Sequence, residues 1–226
     1  MKRHLFSLLA LGSVLLFSTA CTTEDYESGN GDNSFLRADF VEARSGEAKR
    51  VNYAITDEGD SLVFRGGASC EWTTTPDSVY RALLYSARDN ETAPYTRFVS
   101  MSQVLVLPIP QKKREKVCVD PLTMESAWMS ANGRYLNLGL YVKTGVEGDS
   151  VVAKHQLLGV NCDTTVVHDD GSRELHLVLY HDQAGVPEYY SSCVYASIPI
   201  SHLRKGDVVH LDVHTYNGLV SRSFVK

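Results

Sequence analysis

The stretch VVHLDVHTYNGLVSRSF, residues 208–224, holds the plainest structural instruction in the chain. Val209, Leu211 and Val213 alternate with His210, Asp212 and His214. Side chains two apart on a strand share a face, so this alternation makes one apolar face and one polar face. Asn217-Gly218 then separates it from a second run, which is the sequence signature of a tight β-hairpin. The stretch reads as strands 208–216 and 219–224, with Val209, Leu211 and Val213 against a core.

The same period recurs upstream. Residues 135–143 place Leu136, Leu138, Leu140 and Val142 on one face, and 175–180 place Leu175, Leu177 and Leu179 inward. Further strands are expected at 155–160 and 190–199, with turns at Asn132-Gly133, Asp169-Asp170-Gly171 and Lys205-Gly206-Asp207. Only 121–129 offers a helical turn. Five or six strands in about 100 residues make 121–226 an antiparallel β-sandwich.

The first half is also β. Strands are expected at 36–43, 50–56, 61–64, 78–87 and 96–106. Between them stand the turn signals Ser45-Gly46, Asp57-Glu58-Gly59-Asp60, Gly66-Gly67, Pro76-Asp77 and Asp89-Asn90. Five short strands suit a small barrel over 36–110. Pro108, Pro110 and the run QKKREK at 111–116 mark a linker over 111–120. The chain is therefore all-β, in two domains.

The amino terminus sets the compartment. Lys2 and Arg3 precede an apolar run, 5–17, and small residues ending in Ser18-Thr19-Ala20. That is the layout of a secretory signal peptide over 1–20. The apolar run is 13 residues long and interrupted by Ser7, Gly12 and Ser13, short for crossing a bilayer. Cys21 directly after the small residues converts the cleavage site into a bacterial lipobox, although Ser18 stands where Leu is commonest. Acylation of Cys21 would anchor the chain firmly, since two or three acyl chains hold where one does not. The alternative is an ordinary secretory signal whose first mature residue is Cys21. Residues 22–35, TTEDYESGNGDNSF, are polar and acidic with little to bury, and read as a flexible tether over 21–35. The cluster Glu24, Asp25, Glu27 resembles the acidic stretch of surface-exported lipoproteins.

Charge narrows the partners. The formal net charge is −5, and loss of Lys2 and Arg3 would leave 20 basic side chains against 27 acidic ones. Such a body has no electrostatic reason to bind nucleic acid. Cys70, Cys118, Cys162 and Cys193 remain besides Cys21; their spacings match no zinc pair, and either bridges or buried thiols fit them. Cofactor motifs are lacking.

Two constellations carry chemical interest. His210, Asp212 and His214 project from one face, and His176 could join them if strands pair suitably. Cβ atoms two apart on a strand lie roughly 6.5–7 Å apart, which strains a shared metal, and the plain reading is a solvated polar face. There is no G-x-S-x-G and no β-α alternation to build a nucleophile elbow. The loop from Thr73 to Ser78 could present hydroxyls, or could simply position the next strand. Trp72, Tyr95, Tyr189 and Tyr190 lie near strand ends, where barrels bind sugars by stacking; as core aromatics they would carry no ligand.

Taken with Cys21 and the acidic tether, several segments resemble one family. They are Asp39-Phe40-Val41-Glu42-Ala43, Thr56-Asp57-Glu58-Gly59-Asp60-Ser61-Leu62, and Thr74-Thr75-Pro76-Asp77-Ser78-Val79-Tyr80-Arg81-Ala82-Leu83-Leu84-Tyr85. The break at Pro108, Asn132-Gly133-Arg134-Tyr135-Leu136-Asn137-Leu138 and Tyr216-Asn217-Gly218 complete the set. The chain is similar to the NigD-like lipoproteins of the Bacteroidetes over nearly its whole mature length. The resemblance implies an OB-like barrel followed by a β-sandwich, and a bacteriocin-immunity role by the family's name; it carries over no catalytic residue. The expected protein is a non-enzymatic, lipid-anchored binding or accessory protein of the cell envelope. It would sit at the outer membrane, with a protein or glycan ligand. The alternative is a metal-dependent envelope enzyme using His210, Asp212 and His214.

Overall fold

Five strands open the described chain: β1 (Leu36–Glu47), β2 (Arg50–Thr56), β3 (Ser61–Ser69), β4 (Val79–Ala87) and β5 (Arg97–Gln103). The computed structural model describes residues 36–87, 95–146 and 155–226. The expected signal peptide, Cys21, the tether and the Asp89-Asn90 turn lie outside the described residues. The five strands pair antiparallel in the order β3-β2-β1-β4-β5. A parallel bridge from Phe64 to Thr96 links the two ends, so the sheet curls toward closure. This is the pairing of a five-stranded, partly open Greek-key barrel of the OB type.

Gly66-Gly67 is a kink inside β3 rather than the expected turn between strands. Both glycines take left-handed φ, +73° and +77°, and the register to β2 shifts between Val51 and Tyr53. Such a bulge bends a strand and lets a small sheet curl. Val41, Ala43, Val51, Ala54, Leu62, Phe64, Ala82 and Leu84 fill the interior.

Eight strands follow: β6 (Leu105–Val106), β7 (Thr123–Met129), β8 (Tyr135–Thr144), β9 (Leu157–Val167), β10 (Arg173–Asp182), β11 (Tyr190–Pro199), β12 (Val208–Thr215) and β13 (Gly218–Val225). They make two four-stranded sheets, β6-β11-β8-β7 and β13-β12-β10-β9, which share one core. Pairing is antiparallel except for β6 with β11 and β10 with β12. The alternation read from the sequence is the observed burial: Leu136, Leu138 and Leu140 are fully buried, as are Val209, Leu211 and Val213. Each buried leucine contributes about 1.5–3 kcal/mol of transfer free energy.

Two expectations need correction. Residues 121–129 hold no helical turn; Thr123–Met129 is a strand on the edge of β8, whose ladder overrides a composition that either structure tolerates. The expected continuous strand 96–106 breaks at Val104. That residue is buried and donates its N–H to the Arg81 carbonyl, after which Leu105 and Val106 pair with β11 in the sandwich.

The barrel meets the sandwich through side chains. Phe40 packs edge-on against Trp128 and Tyr195, with ring centroids 5.3 and 5.5 Å away. Beside them Arg81, Asp57, Asn137 and Ser197 form a buried hydrogen-bonded set.

Candidate functional site

The polar face of the β13-β12-β10-β9 sheet is where histidines gather. β10 and β12 run parallel with His176 directly beside His210. Their rings stack, with centroids 4.6 Å apart and planes 22° from parallel. Glu174, two residues before His176, turns its carboxylate to both: Oε2 lies 3.6 Å from His210 Nε2 and 4.0 Å from His176 Nε2. Its other oxygen, Oε1, lies 3.1 Å from Nε2 of His168, at the base of the β9–β10 hairpin. Nδ1 of His210 is 2.8 Å from Ser223 Oγ on β13.

The expected trio is divided by this arrangement. His210, Asp212 and His214 do share the solvent-facing side, but Asp212 is taken by a short hydrogen bond from Ser221, and His214 is exposed. The chemical neighbours of His210 lie across strands instead of along its own. Glu174 and His168 were missed: the β10–β12 register brings Glu174 to His210, and the β9–β10 hairpin brings His168 to Glu174. His181 serves the frame: it is buried, with Nδ1 2.9 Å from the Asp120 carbonyl and Nε2 3.1 Å from Gln156 Oε1.

A second candidate lies on the outer face of the barrel. Arg44 pairs with Tyr53 across β1 and β2, and Tyr53 with Val63 across β2 and β3. Tyr53 and Val63 are exposed, and the Arg65 guanidinium lies 5.9 Å from the centre of the exposed Tyr95 ring. Arg44, Asn52, Tyr53, Asp77 and Ser78 line a shallow polar concavity beside this row. OB barrels take ligands on the face of their second and third strands.

The other expected features resolve individually. Trp72 packs against Tyr80 at 5.6 Å and donates to the Met101 carbonyl, so it belongs to the barrel core. Tyr95, Tyr189 and Tyr190 stay exposed. Thr73 is buried with its hydroxyl donating to the Cys70 carbonyl, and Ser45 binds the Thr75 and Ser78 carbonyls. The Thr73–Ser78 loop is thus held by its own polar groups. Cys70, Cys118, Cys162 and Cys193 are all free thiols, and burial pushes the Cys70 thiol up, away from the reactive thiolate.

The model of the NigD-like C-terminal beta sandwich domain matches residues 105–225, more than half of the chain. The chain belongs to the NigD-like family. The match begins at Leu105, where β6 joins the sandwich. Among solved structures, a NigD-like immunity protein from Bacteroides caccae is similar at 20% identity and a TM-score of 0.62, covering 84% of this chain and 96% of that one. A candidate toxin-related protein from Parabacteroides distasonis gives 15% identity and 0.60, covering 84% and 93%. A candidate lipoprotein from Bacteroides fragilis gives 10% and 0.54, covering 84% and 96%. At these identities the likeness is one of fold. No curated protein matches. The NigD-like fold here is barrel plus sandwich, both β.

Proposed function

We propose that this NigD-like protein is a non-enzymatic accessory protein of the cell envelope, anchored by acyl chains on Cys21, that binds a protein ligand through its barrel. The observation that carries the reading is the row of half-buried Arg44 and exposed Tyr53 and Val63 beside a polar concavity, on the face OB barrels use for ligands. The lipobox layout ending at Cys21 and the acidic tether support an envelope location at the outer membrane. The tether would confine the barrel to a layer near the membrane and raise its local concentration for a ligand arriving there. The name of the Bacteroides caccae relative, an immunity protein, supports a proteinaceous toxin as the ligand class.

The test is affinity capture of the native protein from its own cells, beside Cys21→Ala and Tyr53→Ala forms. The expected result is radiolabelled acyl incorporation in the native and Tyr53→Ala forms but not in Cys21→Ala, and one protein captured by the native form but reduced several-fold by Tyr53→Ala. Capture unchanged by Tyr53→Ala would move the binding face off the barrel. A glycan in place of a protein would change the ligand class.

A further inference from the structure

We propose that Glu174, His176 and His210 form a surface site for one zinc-class divalent metal ion, with a coordination position left open to solvent. The inference is independent of the barrel reading. Each of the three residues offers one ligand atom within 4.8 Å of those of the other two. Glu174 Oε2 lies 3.6 and 4.0 Å from the Nε2 atoms of His210 and His176. Four ligands around zinc at bonds of about 2.0–2.1 Å lie roughly 3.3 Å apart. Closing the carboxylate–imidazole gaps takes about 0.3 and 0.7 Å, and the imidazole pair at most about 1.5 Å, within the rotamer freedom of side chains 31–44% exposed.

The donors come ready oriented. His176 and His210 are register partners on adjacent parallel strands, so their backbones hold the imidazoles side by side. Ser223 engages His210 Nδ1 and leaves Nε2 turned to Glu174. His168 engages Oε1 and leaves Oε2 turned to the imidazoles. Outer partners of this kind fix the tautomer and aim of metal ligands. A half-exposed ion pair is worth little by itself, so stability does not require three histidines around one carboxylate. Two imidazole nitrogens select zinc, nickel or copper over magnesium or calcium, which take oxygen donors. Three protein donors leave the fourth tetrahedral position for water or for a group from a bound partner.

Calorimetric titration of the metal-stripped full chain with Zn²⁺ tests this, with Co²⁺ absorption as an optical reporter of geometry. One equivalent of Zn²⁺ is expected, with visible Co²⁺ bands of tetrahedral strength and no competition from Mg²⁺. His176→Ala/His210→Ala should weaken Zn²⁺ binding at least about 100-fold, and Ser223→Ala about 10-fold. Asp212→Asn and His214→Ala should bind as the wild type does. Glu174→Gln, which keeps size and shape, provides a second loss-of-ligand variant should the double substitution fail to fold. Substoichiometric uptake by the wild type overturns the proposal. So does wild-type affinity in a folded His176→Ala/His210→Ala or Glu174→Gln chain.

Discussion

Arg81 grips Asp57 through two hydrogen bonds of 2.7 Å, with both side chains buried. The pair lies on the outer side of the barrel strands, opposite Ala82 and Leu84 of the barrel core, and is bonded there to residues of the sandwich. Asn137 donates to Asp57 Oδ2 at 3.0 Å and accepts from Arg81, while Ser197 accepts from Arg81 Nε at 3.1 Å. The Tyr135 ring covers the guanidinium with its centre 4.0 Å from Cζ. Removing one partner strands a buried charge, which costs about 3–5 kcal/mol; removing both does not. Arg81→Met should therefore lower the unfolding free energy by about that amount. Asp57→Leu/Arg81→Met should cost clearly less than the sum of the two single variants. Urea unfolding of the four proteins of this cycle measures it, and additive costs would mean the pair is not coupled.

Tyr135 and Glu42 form a second contact across the same joint. The phenol donates to Glu42 Oε1 at 2.7 Å, and Arg134 donates to Oε2 at 2.9 Å. Burial first, and then the Glu42 hydrogen bond and charge, push the Tyr135 hydroxyl up to about 12. A raised value means the folded state favours the protonated phenol. Its contribution is complete below the ordinary value near 10 and is lost as pH rises through about 12. Tyrosinate absorbance should show a late-ionising component that loses one group in Tyr135→Phe. In Glu42→Gln that group should ionise earlier but not at the ordinary value, because burial is the larger cause.

The strands were legible where one face meets water. Period-two alternation marked 135–143 and 208–216, and both ends of β2 and β11 lie where they were read. Legibility failed where the deciding contact is distant. Thr123–Met129 is a strand because β8 lies beside it, and no local pattern records that. Asn137 occupies the polar side of an alternating strand, as an exposed residue would, yet it is fully buried because the barrel covers it. The histidine cluster was half legible: the projection of His210 followed from the pattern. Its partners His176 and Glu174 depend on a parallel register between β10 and β12, with β11 of the other sheet lying between them in the chain.

Asp207 should contribute to the acid limb of stability. Arg173 Nη2 and Nε hold its Oδ2 at 2.6 and 3.1 Å, and the N–H groups of Arg173 and Arg204 donate to the same carboxylate. The Arg173 side chain foremost, then the Arg204 N–H, bring its carboxyl down to about 2. A lowered value means the folded state favours the carboxylate. The stabilisation is complete above the ordinary value of 3.8 and disappears as pH falls through about 2. Unfolding midpoints should decline over that interval, and Asp207→Asn should remove that part of the decline while lowering stability at neutral pH. A decline of equal size in Asp207→Asn would assign it to other carboxylates.

The β12–β13 hairpin turns on Gly218, which sits at φ +108° while Asn217 keeps a negative φ. The register pairs Thr215 with Gly218, so Tyr216 and Asn217 are the central residues; a type I′ turn needs positive φ at both and neither has it, so this hairpin uses another geometry. Thr215 closes it, donating its hydroxyl to the Gly218 carbonyl at 2.7 Å. A methyl group added at Gly218 would meet nothing within 4 Å, so any cost of Gly218→Ala is backbone strain alone. That strain is about 1–2 kcal/mol for an L-residue in the left-handed region. At about 2–4 °C per kcal/mol for a body of this size, Gly218→Ala should lower Tm by about 2–8 °C. Thr215→Ala should add to that loss if the hydroxyl holds the same turn. An unchanged Tm in Gly218→Ala would show that the turn relaxes into a geometry L-residues tolerate, leaving the alternation of Val209, Leu211 and Val213 to set the register by itself.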